Sequence, residues 1–492
     1  MNEYLLILPI LFPIIFAIIN RSLKISEKQK EIVNLLIIIL TAVFTILLVI
    51  LPPEESCYIF RFNERLRIFL KLDGIGRIFT FMVCILWPFA YLYTMAYMQN
   101  EDKKKNYAMF YVITFGIVLG ISLAGNLITM YVFYELLTLV TIPLIIHPMT
   151  KEAKRAGRYY LYISLFGSTL ALIGIIMLIC IFNTGDFINV FELSQLSIYM
   201  QHQNSAYVAY MLLFIGFGVK AAIFPLHGWL PRAGAAPTPT TALLHAVAVV
   251  KAGAFAIIRT IYSVMGCEIL SGSVVQMITT MMASITILFG SSMALKQIHL
   301  KRRFAYSTIA NISYILLAAT MMNAYGLYAA MLHMIFHSFA KITLFFIAGE
   351  LMKKADVIYV DQMNGLASKM PVTFVCYILA GFSLIGIPLF AGFISKIEIA
   401  NSAILVNQWY SIVGIVCLLI SALLTAIYVM DIILRAYFKR PNFYNIENYE
   451  KAKDGNYKFL LPICTFALCS FLLGMIGSPL LQVIEKLLGG GL

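Results

Sequence analysis

The chain has 492 residues, of which 61% are hydrophobic and 12% charged, whereas an average soluble protein is roughly 25% charged. Apolar runs close to the ~20 residues that cross a bilayer recur from end to end, which excludes an ordinary soluble enzyme and a separate soluble domain of normal size. The net charge of +13 is compatible with a nucleic-acid partner, but its placement along the chain favours membrane topology instead.

The predicted fold is an all-α polytopic membrane protein, because backbone groups without hydrogen bonds cannot face lipid. The first apolar run lacks a basic leader and a small-residue cleavage site, so we expect a retained helix and not a signal peptide. About ten residues follow the last run, and no lateral C-terminal helix is expected. The apolar pattern predicts about fourteen transmembrane helices, over residues 4–20, 32–51, 75–98, 107–124, 127–147, 159–182, 205–226, 239–263, 272–294, 304–323, 326–349, 371–396, 409–434 and 458–482.

Lysine and arginine are distributed unevenly over the predicted loops. The odd-numbered loops carry 25 of them, while the even-numbered loops and the C-terminus carry about six. Because cytoplasmic loops of membrane proteins are enriched in these residues, the odd-numbered loops are predicted to be cytoplasmic. Both termini are then expected on the outside.

Two of the predicted helices are interrupted near their middle. Span seven reads "GFGVKAAIFPLHGW" and span twelve reads "GFSLIGIPLFAGFISK". Their prolines, Pro225 and Pro388, lie 163 residues apart, and the same offset carries the fourth span close to the ninth. We therefore predict two inverted five-helix repeats with broken helices 7 and 12, an architecture typical of transporters. The predicted divisions are residues 1–106 for helices 1–3, 107–270 for the first repeat, 271–435 for the second repeat and 436–492 for helix 14.

Two lysines, Lys220 and Lys251, lie inside otherwise apolar segments of the stretch from 218 to 255. A charged group at this depth costs several kcal/mol unless water or a carboxylate relieves it, and a lysine, unlike an arginine, can bind and release a proton. Glu135 lies in the middle of span five, and Lys220 is its natural partner. The alternatives are a structural ion pair and a protonated glutamate that packs helices together.

One predicted helix presents three titratable side chains on a single face. His333, His337 and Lys341 follow one another at i, i+4 and i+8, a stripe suited to passing protons. A metal site is the alternative, but no third histidine or acidic ligand is nearby in sequence. Lys396, at the end of the second broken helix, is the expected exit, unless it is an interfacial lysine that reaches the headgroups.

Two further histidines are candidates for the same pathway. His245 is six residues from Lys251, about 120° away around a helix, and either relays protons or faces a different neighbour. His227, directly after Pro225, is a candidate for the point where protons enter. The eight cysteines are scattered without CxxC spacing, so no iron–sulfur, zinc or disulfide framework is expected. Neither a cofactor nor a catalytic or redox site is therefore expected in this chain.

These residues stand in segments that resemble a known family. The segments "ELLTLVTIPLI", "GVKAAIFPLHGWLP", "APTPTTALLHAVAVVKAGAF", "LKRRFAYSTIANISYILLAA" and "HSFAKITLFFIAGE" resemble the antiporter-like subunits shared by respiratory complex I, Mrp-type cation/proton antiporters and membrane-bound hydrogenases. The resemblance covers roughly residues 70–435 and looks most like the D-type component of Mrp antiporters or its counterpart in hydrogenase-type complexes. The connector "LPRAGAAPTP" lacks a histidine that many members carry, which leaves the route by which protons enter open.

The resemblance implies a fourteen-helix fold with two inverted repeats. It also implies that the Glu135–Lys220 pair couples to a central Lys251 and, through the histidine-bearing helix, to Lys396 at the outward exit. The expected location is the inner (plasma) membrane of a prokaryote, and the expected partners are other integral membrane subunits, lipid and protons, with Na⁺ carried by partner subunits if at all.

Two functions from different classes follow from the resemblance. The first is a proton-translocating subunit of a multisubunit cation/proton antiporter. The second is a proton-pumping membrane subunit of a redox complex, either a membrane-bound hydrogenase or a complex I-like NADH/ferredoxin oxidoreductase, with the redox cofactors in other subunits. A purely structural scaffold is disfavoured, because every expected charged position is filled.

Overall fold

The computed structural model describes residues 3–63, 65–99, 101, 104–187, 193–441 and 446–489. Most of these residues are helical, and eleven helices among them are long and apolar enough to cross a membrane. The predicted class of polytopic membrane protein is thereby confirmed. Polar caps, which satisfy the first free backbone N–H groups of a helix, start several of these helices. The capping residues are Ser26, Asp73, Asn126, Thr150, Ser273 and Asn323.

The first third of the chain contains six long helices and one small sheet. After a 3₁₀ turn at Glu3–Ile7, the helices are α1 (Leu8–Ser22), α2 (Glu27–Ile50), α3 (Gly74–Tyr97), α4 (Lys104–Ser122), α5 (Leu127–Ile145) and α6 (Lys151–Phe182). Between α2 and α3, strands β1 (Cys57–Arg61) and β2 (Arg67–Leu70) pair antiparallel, Cys57 opposite Leu70. The all-α prediction was wrong for this hairpin, which lies between spans and contains the aromatic and β-branched residues Tyr58, Ile59, Phe60, Ile68 and Phe69, residue types that favour strands.

The middle of the chain is the most irregular part. Helix α7 (Leu193–Lys220) ends at the predicted break, and short helical pieces follow before the chain enters the membrane-spanning segment Thr238–Met265. That segment contains two π-helical turns, Leu243–Val247 and Thr260–Met265. The other pieces are 3₁₀ turns at Leu226–Gly228 and Ala233–Ala235, α8 (Trp229–Arg232), α9 (Thr238–Ala242), α10 (Val249–Arg259) and α11 (Cys267–Leu270).

The last part of the chain returns to long helices, apart from one interruption. Helix α15 (Pro371–Ile385) is followed by Gly386, whose φ of 84° is left-handed, and α16 (Ala391–Val406) starts after Phe390, so Pro388 lies in the break. The helices are α12 (Val274–Lys296), α13 (Leu300–Ala319), α14 (Ala324–Lys354), α15 (Pro371–Ile385), α16 (Ala391–Val406), α17 (Trp409–Phe438), α18 (Ile446–Lys451), α19 (Tyr457–Met475) and α20 (Gly477–Leu487). Two 3₁₀ turns, Val360–Met363 and Leu366–Ser368, separate α14 from α15.

Three of the fourteen predicted spans are not among the eleven apolar helices of the described residues. The seventh corresponds to α7 and the tenth to α13, whose first turn carries Lys301, Arg302 and Arg303. The twelfth is divided into α15 and α16, of 15 and 16 residues, each shorter than the hydrocarbon core requires.

Two segments form the centre of the bundle. In the most apolar 18-residue stretch of Thr238–Met265 every residue is buried, and in that of α14 94% of the residues are buried. The corresponding share for the N-terminal helix is 33%. Polar side chains on these two segments therefore have neither lipid headgroups nor bulk solvent beside them. They must find partners on neighbouring helices.

Candidate functional site

The centre of the candidate site is a contact between Lys251 on α10 and His337 on α14. The Lys251 amine lies 3.0 Å from His337 Nδ1 and donates a hydrogen bond of 3.0 Å to the main-chain carbonyl of Met334. Lys251 and His337 are 0% and 1% exposed. An amine and an imidazole at this distance can share one proton, because either nitrogen can act as donor or acceptor.

The same face of α14 leads to the second interrupted helix. The rings of His337 and His333 are 6.1 Å apart at an interplanar angle of 30°, and His333 Nδ1 lies 2.9 Å from the Ser395 hydroxyl on α16. Ser395 is the residue before Lys396, the expected exit. Lysine, histidine and serine side chains thus connect α10, α14 and α16 through the core.

Lys396 is positioned by the break between α15 and α16. Its amine donates to the carbonyls of Leu384 and Ile385 at 2.7 and 2.8 Å, two of the groups left without partners at the end of α15. The negative end of the helix dipole also favours a cation there. Lys396 is 7% exposed, so its side chain points into the protein and does not extend along the lipid surface.

Lys341 does not extend the line of the two histidines. Its amine donates to the Ser307 hydroxyl at 2.6 Å and to the Phe304 carbonyl at 3.3 Å, both on α13. Ser307 is in turn 2.6 Å from the Tyr428 hydroxyl on α17. The structure therefore separates the predicted stripe into an imidazole pair directed toward α16 and an amine directed toward α13 and α17.

Glu135 and Lys220 lie near each other but are not in contact. Lys220, the last residue of α7, donates to the main-chain carbonyl of Tyr134, and its amine lies 3.4 Å from the centre of the Tyr134 ring. One carboxylate oxygen of Glu135 is buried and has no hydrogen-bond partner among the described residues. No ion pair within 4.0 Å joins Glu135 to Lys220 in this arrangement.

His245 and His227 lie away from the contact between Lys251 and His337. His245 belongs to a π-helical turn, and Ala248 (φ −101°, ψ −82°) interrupts the helix before Lys251, so the angle expected from a regular helix does not apply. The His245 ring packs 4.6 Å from Phe345, and neither of its nitrogens has a partner among the described residues. His227 is half-buried between aromatic rings of the segment 224–306.

Several residues that complete these contacts carried no distinguishing signal in the sequence. Ser395, Ser307 and Tyr428 are hydroxyl residues in apolar helices, where most hydroxyls bond to their own backbone. Tyr134 has a clearer signal in hindsight, since it is adjacent to Glu135. None of these residues belongs to a spaced motif.

One sequence assignment requires correction. The count of about six basic residues in the even-numbered loops and the C-terminus included Arg259, although the predicted span 239–263 contains it; it lies at the end of α10, is 0% exposed and forms an ion pair with Asp73 at the start of α3. Burial alone raises the pKa of Asp73, but Arg259 and the Gly76 amide hold it below its ordinary value. An arginine this deep requires such a partner, which lies 186 residues away in sequence.

Known proteins are similar to this chain in both sequence and fold. A family model described as "NADH:quinone oxidoreductase/Mrp antiporter, TM" matches residues 124–425, more than half of the chain. The NADH-quinone oxidoreductase subunit N of Desulforudis audaxviator is 33% identical over 374 residues, covering 75% of this chain and 73% of that protein. The Na(+)/H(+) antiporter subunit A1 of Staphylococcus haemolyticus is 28% identical, covering 85% of this chain.

The match spans only 53% of the Staphylococcus protein. A solved structure of the Mrp complex from Dietzia sp. DQ12-45-1b contains a chain that superposes with a TM-score of 0.85 at 20% identity, over 99% of this chain and 97% of that chain. The likeness to the solved structure concerns the fold, while the sequence matches establish the relationship. The chain belongs to the NADH:quinone oxidoreductase/Mrp antiporter family of transmembrane subunits.

Proposed function

We propose that this chain is a proton-translocating membrane subunit of a multisubunit cation/proton antiporter, equivalent to the D-type component of Mrp antiporters. The observation that supports the proposal best is the series Lys251, His337, His333 and Ser395, in which two hydrogen-bonded pairs, separated by 6.1 Å between the imidazole rings, join three helices in the centre of the bundle. The two imidazoles can both donate and accept protons, and the Lys251 amine can accept one after it has released its own.

The geometry suggests how protons move along this series. When Lys251 transfers its proton to His337 Nδ1, the imidazole can release the proton of its Nε2 to His333 through a bridging water, since the Nε2 atoms of both histidines are without a partner among the described residues. Ser395 bonds to His333 Nδ1 and donates its own proton to the Gly392 carbonyl, so it orients the His333 imidazole. His333 is close enough to Lys396 for their charges to repel, so a proton arriving at one favours release from the other. Such interacting groups titrate as a set.

The remaining groups supply the two ends of the proposed path. Protons enter near His227 and Lys220. Glu135 alternates between a free state and an ion pair with Lys220, and this change alters the electrostatic potential at Lys251. His245 and Lys341 lie near His337 and adjust its protonation. Lys396 releases protons on the outer side.

The proposed architecture has fourteen transmembrane helices. Inverted repeats over residues 107–270 and 271–435 follow three N-terminal helices in residues 1–106, and the last helix lies in residues 436–492. The protein lies in the plasma membrane of a prokaryote with both termini outside, and the 25 basic residues of the odd-numbered loops support this orientation.

The test replaces Lys251 by alanine in the whole complex, reconstituted in inverted vesicles. We expect Lys251→Ala to abolish cation-dependent proton movement while the complex still assembles. The matched control is Lys439→Ala, which removes the same charge from an exposed position and is expected to leave transport unchanged. Intact proton movement in Lys251→Ala would overturn the proposal.

A second candidate function is proton pumping in a redox complex, either a membrane-bound hydrogenase or a complex I-like oxidoreductase. The 33% identity to a NADH-quinone oxidoreductase subunit favours it. The same residues serve either machine, and in both we propose that this chain holds no cofactor itself and leaves any Na⁺ to partner subunits. Mass spectrometry of the intact purified complex distinguishes them: small membrane subunits alone indicate an antiporter, and iron–sulfur or nickel-bearing partners indicate a redox pump.

A further inference from the structure

A cavity of about 570 Å³ opens on the side of the protein where the basic odd-numbered loops lie. It is formed by the first turns of α6, the segment 231–235 and the start of α13, outside the proton pathway. The residues that matter here are Glu152, Arg155, Tyr159, Arg232, His299 and Arg302.

The cavity carries an excess of positive charge. Arg155, Arg232 and Arg302 form no ion pair within 4.0 Å with any described residue, and Glu152 is the only acid in the lining of this cavity. Burial first, and then the charges of Arg302 and a neighbouring lysine, hold the pKa of His299 below its ordinary value. Three unpaired guanidinium groups around one cavity are suited to phosphate, which arginine binds through two parallel hydrogen bonds.

Part of the cavity wall is fixed in place. The Arg232 guanidinium lies 4.0 Å from the centre of the Tyr159 ring, an interaction that orients its planar face. Lys301 donates to the carbonyls of Gly234 and Ala236 at 3.3 and 3.0 Å, which holds the segment 231–235 against α13. The segment that carries Arg232 is therefore held in place, and the charge of this arginine is presented by a preformed wall.

An apolar strip leads from the cavity into the membrane. Tyr162, Phe166 and Ile173 follow Arg155 on α6 at i+7, i+11 and i+18, which places all four within about 20° of one direction on the helix. The three apolar residues are 67%, 52% and 45% exposed. A free anion would use the cavity alone, whereas a phospholipid has chemistry for both the cavity and the strip.

We propose that this cavity binds the phosphate headgroup of an anionic phospholipid whose acyl chains lie along the strip of Tyr162, Phe166 and Ile173. Basic pockets beside transmembrane helices attract such headgroups, since each nearby lysine or arginine strengthens the interaction. The lining of the cavity contains none of the residues proposed for the proton pathway, so failure of the lipid proposal would leave the proposed function intact.

The test measures lipid binding to the whole purified complex by native mass spectrometry, with dioleoylphosphatidylglycerol and, for comparison, dioleoylphosphatidylethanolamine. We expect preferential binding of phosphatidylglycerol, weakened about tenfold or more in Arg155→Gln/Arg302→Gln because charge-assisted hydrogen bonds are lost. The control Lys151→Gln/Lys154→Gln removes the same charge from the same end of α6, outside the cavity lining, and should change binding less than twofold.

A third variant and a competitor separate a lipid from a free anion. Phe166→Ser should weaken phosphatidylglycerol binding, and millimolar inorganic phosphate should not displace the lipid. Equal losses in the arginine and lysine variants would overturn the proposal in favour of unspecific charge attraction. Displacement by phosphate together with an unaffected Phe166→Ser variant would overturn it in favour of a phosphate site. Phosphatidylglycerol binding that appears only after the complex is dissociated would overturn the proposal in favour of an acidic segment of a neighbouring subunit as the occupant of the cavity.

Discussion

The hydroxyl of Ser395 provides the most direct test of the central pathway. It lies 2.9 Å from Nδ1 of His333 and is the only partner of that nitrogen among the described residues; it also donates to the Gly392 carbonyl at 3.2 Å. Ser395→Ala removes the hydrogen-bond partner that orients the His333 imidazole but leaves both helices in place. We therefore expect proton transport to fall while the protein remains folded and assembled.

The magnitude follows from the burial of His333, which is 2% exposed. Leaving a buried hydrogen-bonding group without its partner costs about 1–3 kcal/mol. If this cost falls on the transfer step, proton transport slows by roughly 5- to 150-fold, since 1.4 kcal/mol corresponds to about tenfold. The assay is cation-dependent proton movement in inverted vesicles, with the thermal stability of the purified complex measured in parallel.

Ser402→Ala is the matched control. Ser402 lies on the same helix and, like Ser395, is 0% exposed; its hydroxyl donates to the carbonyl of Ile399 at 2.8 Å and to no other described residue. It should lose stability by a similar amount without a comparable loss of transport. Equal transport in Ser395→Ala and Ser402→Ala would refute the role of the hydroxyl in proton transfer. Partial recovery in Ser395→Thr, which retains a hydroxyl, would support it.

Two further predictions concern the charged groups at the ends of helices. Asp73→Asn removes the charge that neutralises the fully buried Arg259, and breaking a buried ion pair in this way should destabilise the protein by about 3–5 kcal/mol; a thermal unfolding scan in detergent checks this, and an unchanged midpoint would contradict it. Tyr134→Leu removes the ring beneath the Lys220 amine, an interaction worth about 2 kcal/mol when desolvated, and should alter the pH dependence of transport. Tyr134→Phe retains the ring and the main-chain acceptor, so a shift equal to that of the leucine variant would rule out the ring as the cause.

Local sequence was sufficient to predict the membrane character and the most important lysines. A run of apolar residues has its own preference for lipid, because the transfer free energy is nearly additive along a segment. Lys220 and Lys251 could be recognised for the same reason, because a charged side chain in an apolar run is costly unless a partner or water stabilises it. The periodicity of a regular helix also placed His333 and His337 on one face, and their rings are neighbours in the structure.

Only the tertiary structure decided which of these groups meet. On α14, His337 contacts Lys251, whereas Lys341, four residues after His337, contacts Ser307 on α13. Helical spacing places His337 and Lys341 on one face, but it contains no information about the neighbouring helices that each of them meets. The π-helical turn before Lys251 likewise changed the direction of His245. The sequence alone determined that titratable groups lie in the membrane interior, and the packing of α10, α14 and α16 decided which of them meet, because hydrogen bonds depend on distances that only the assembled bundle sets.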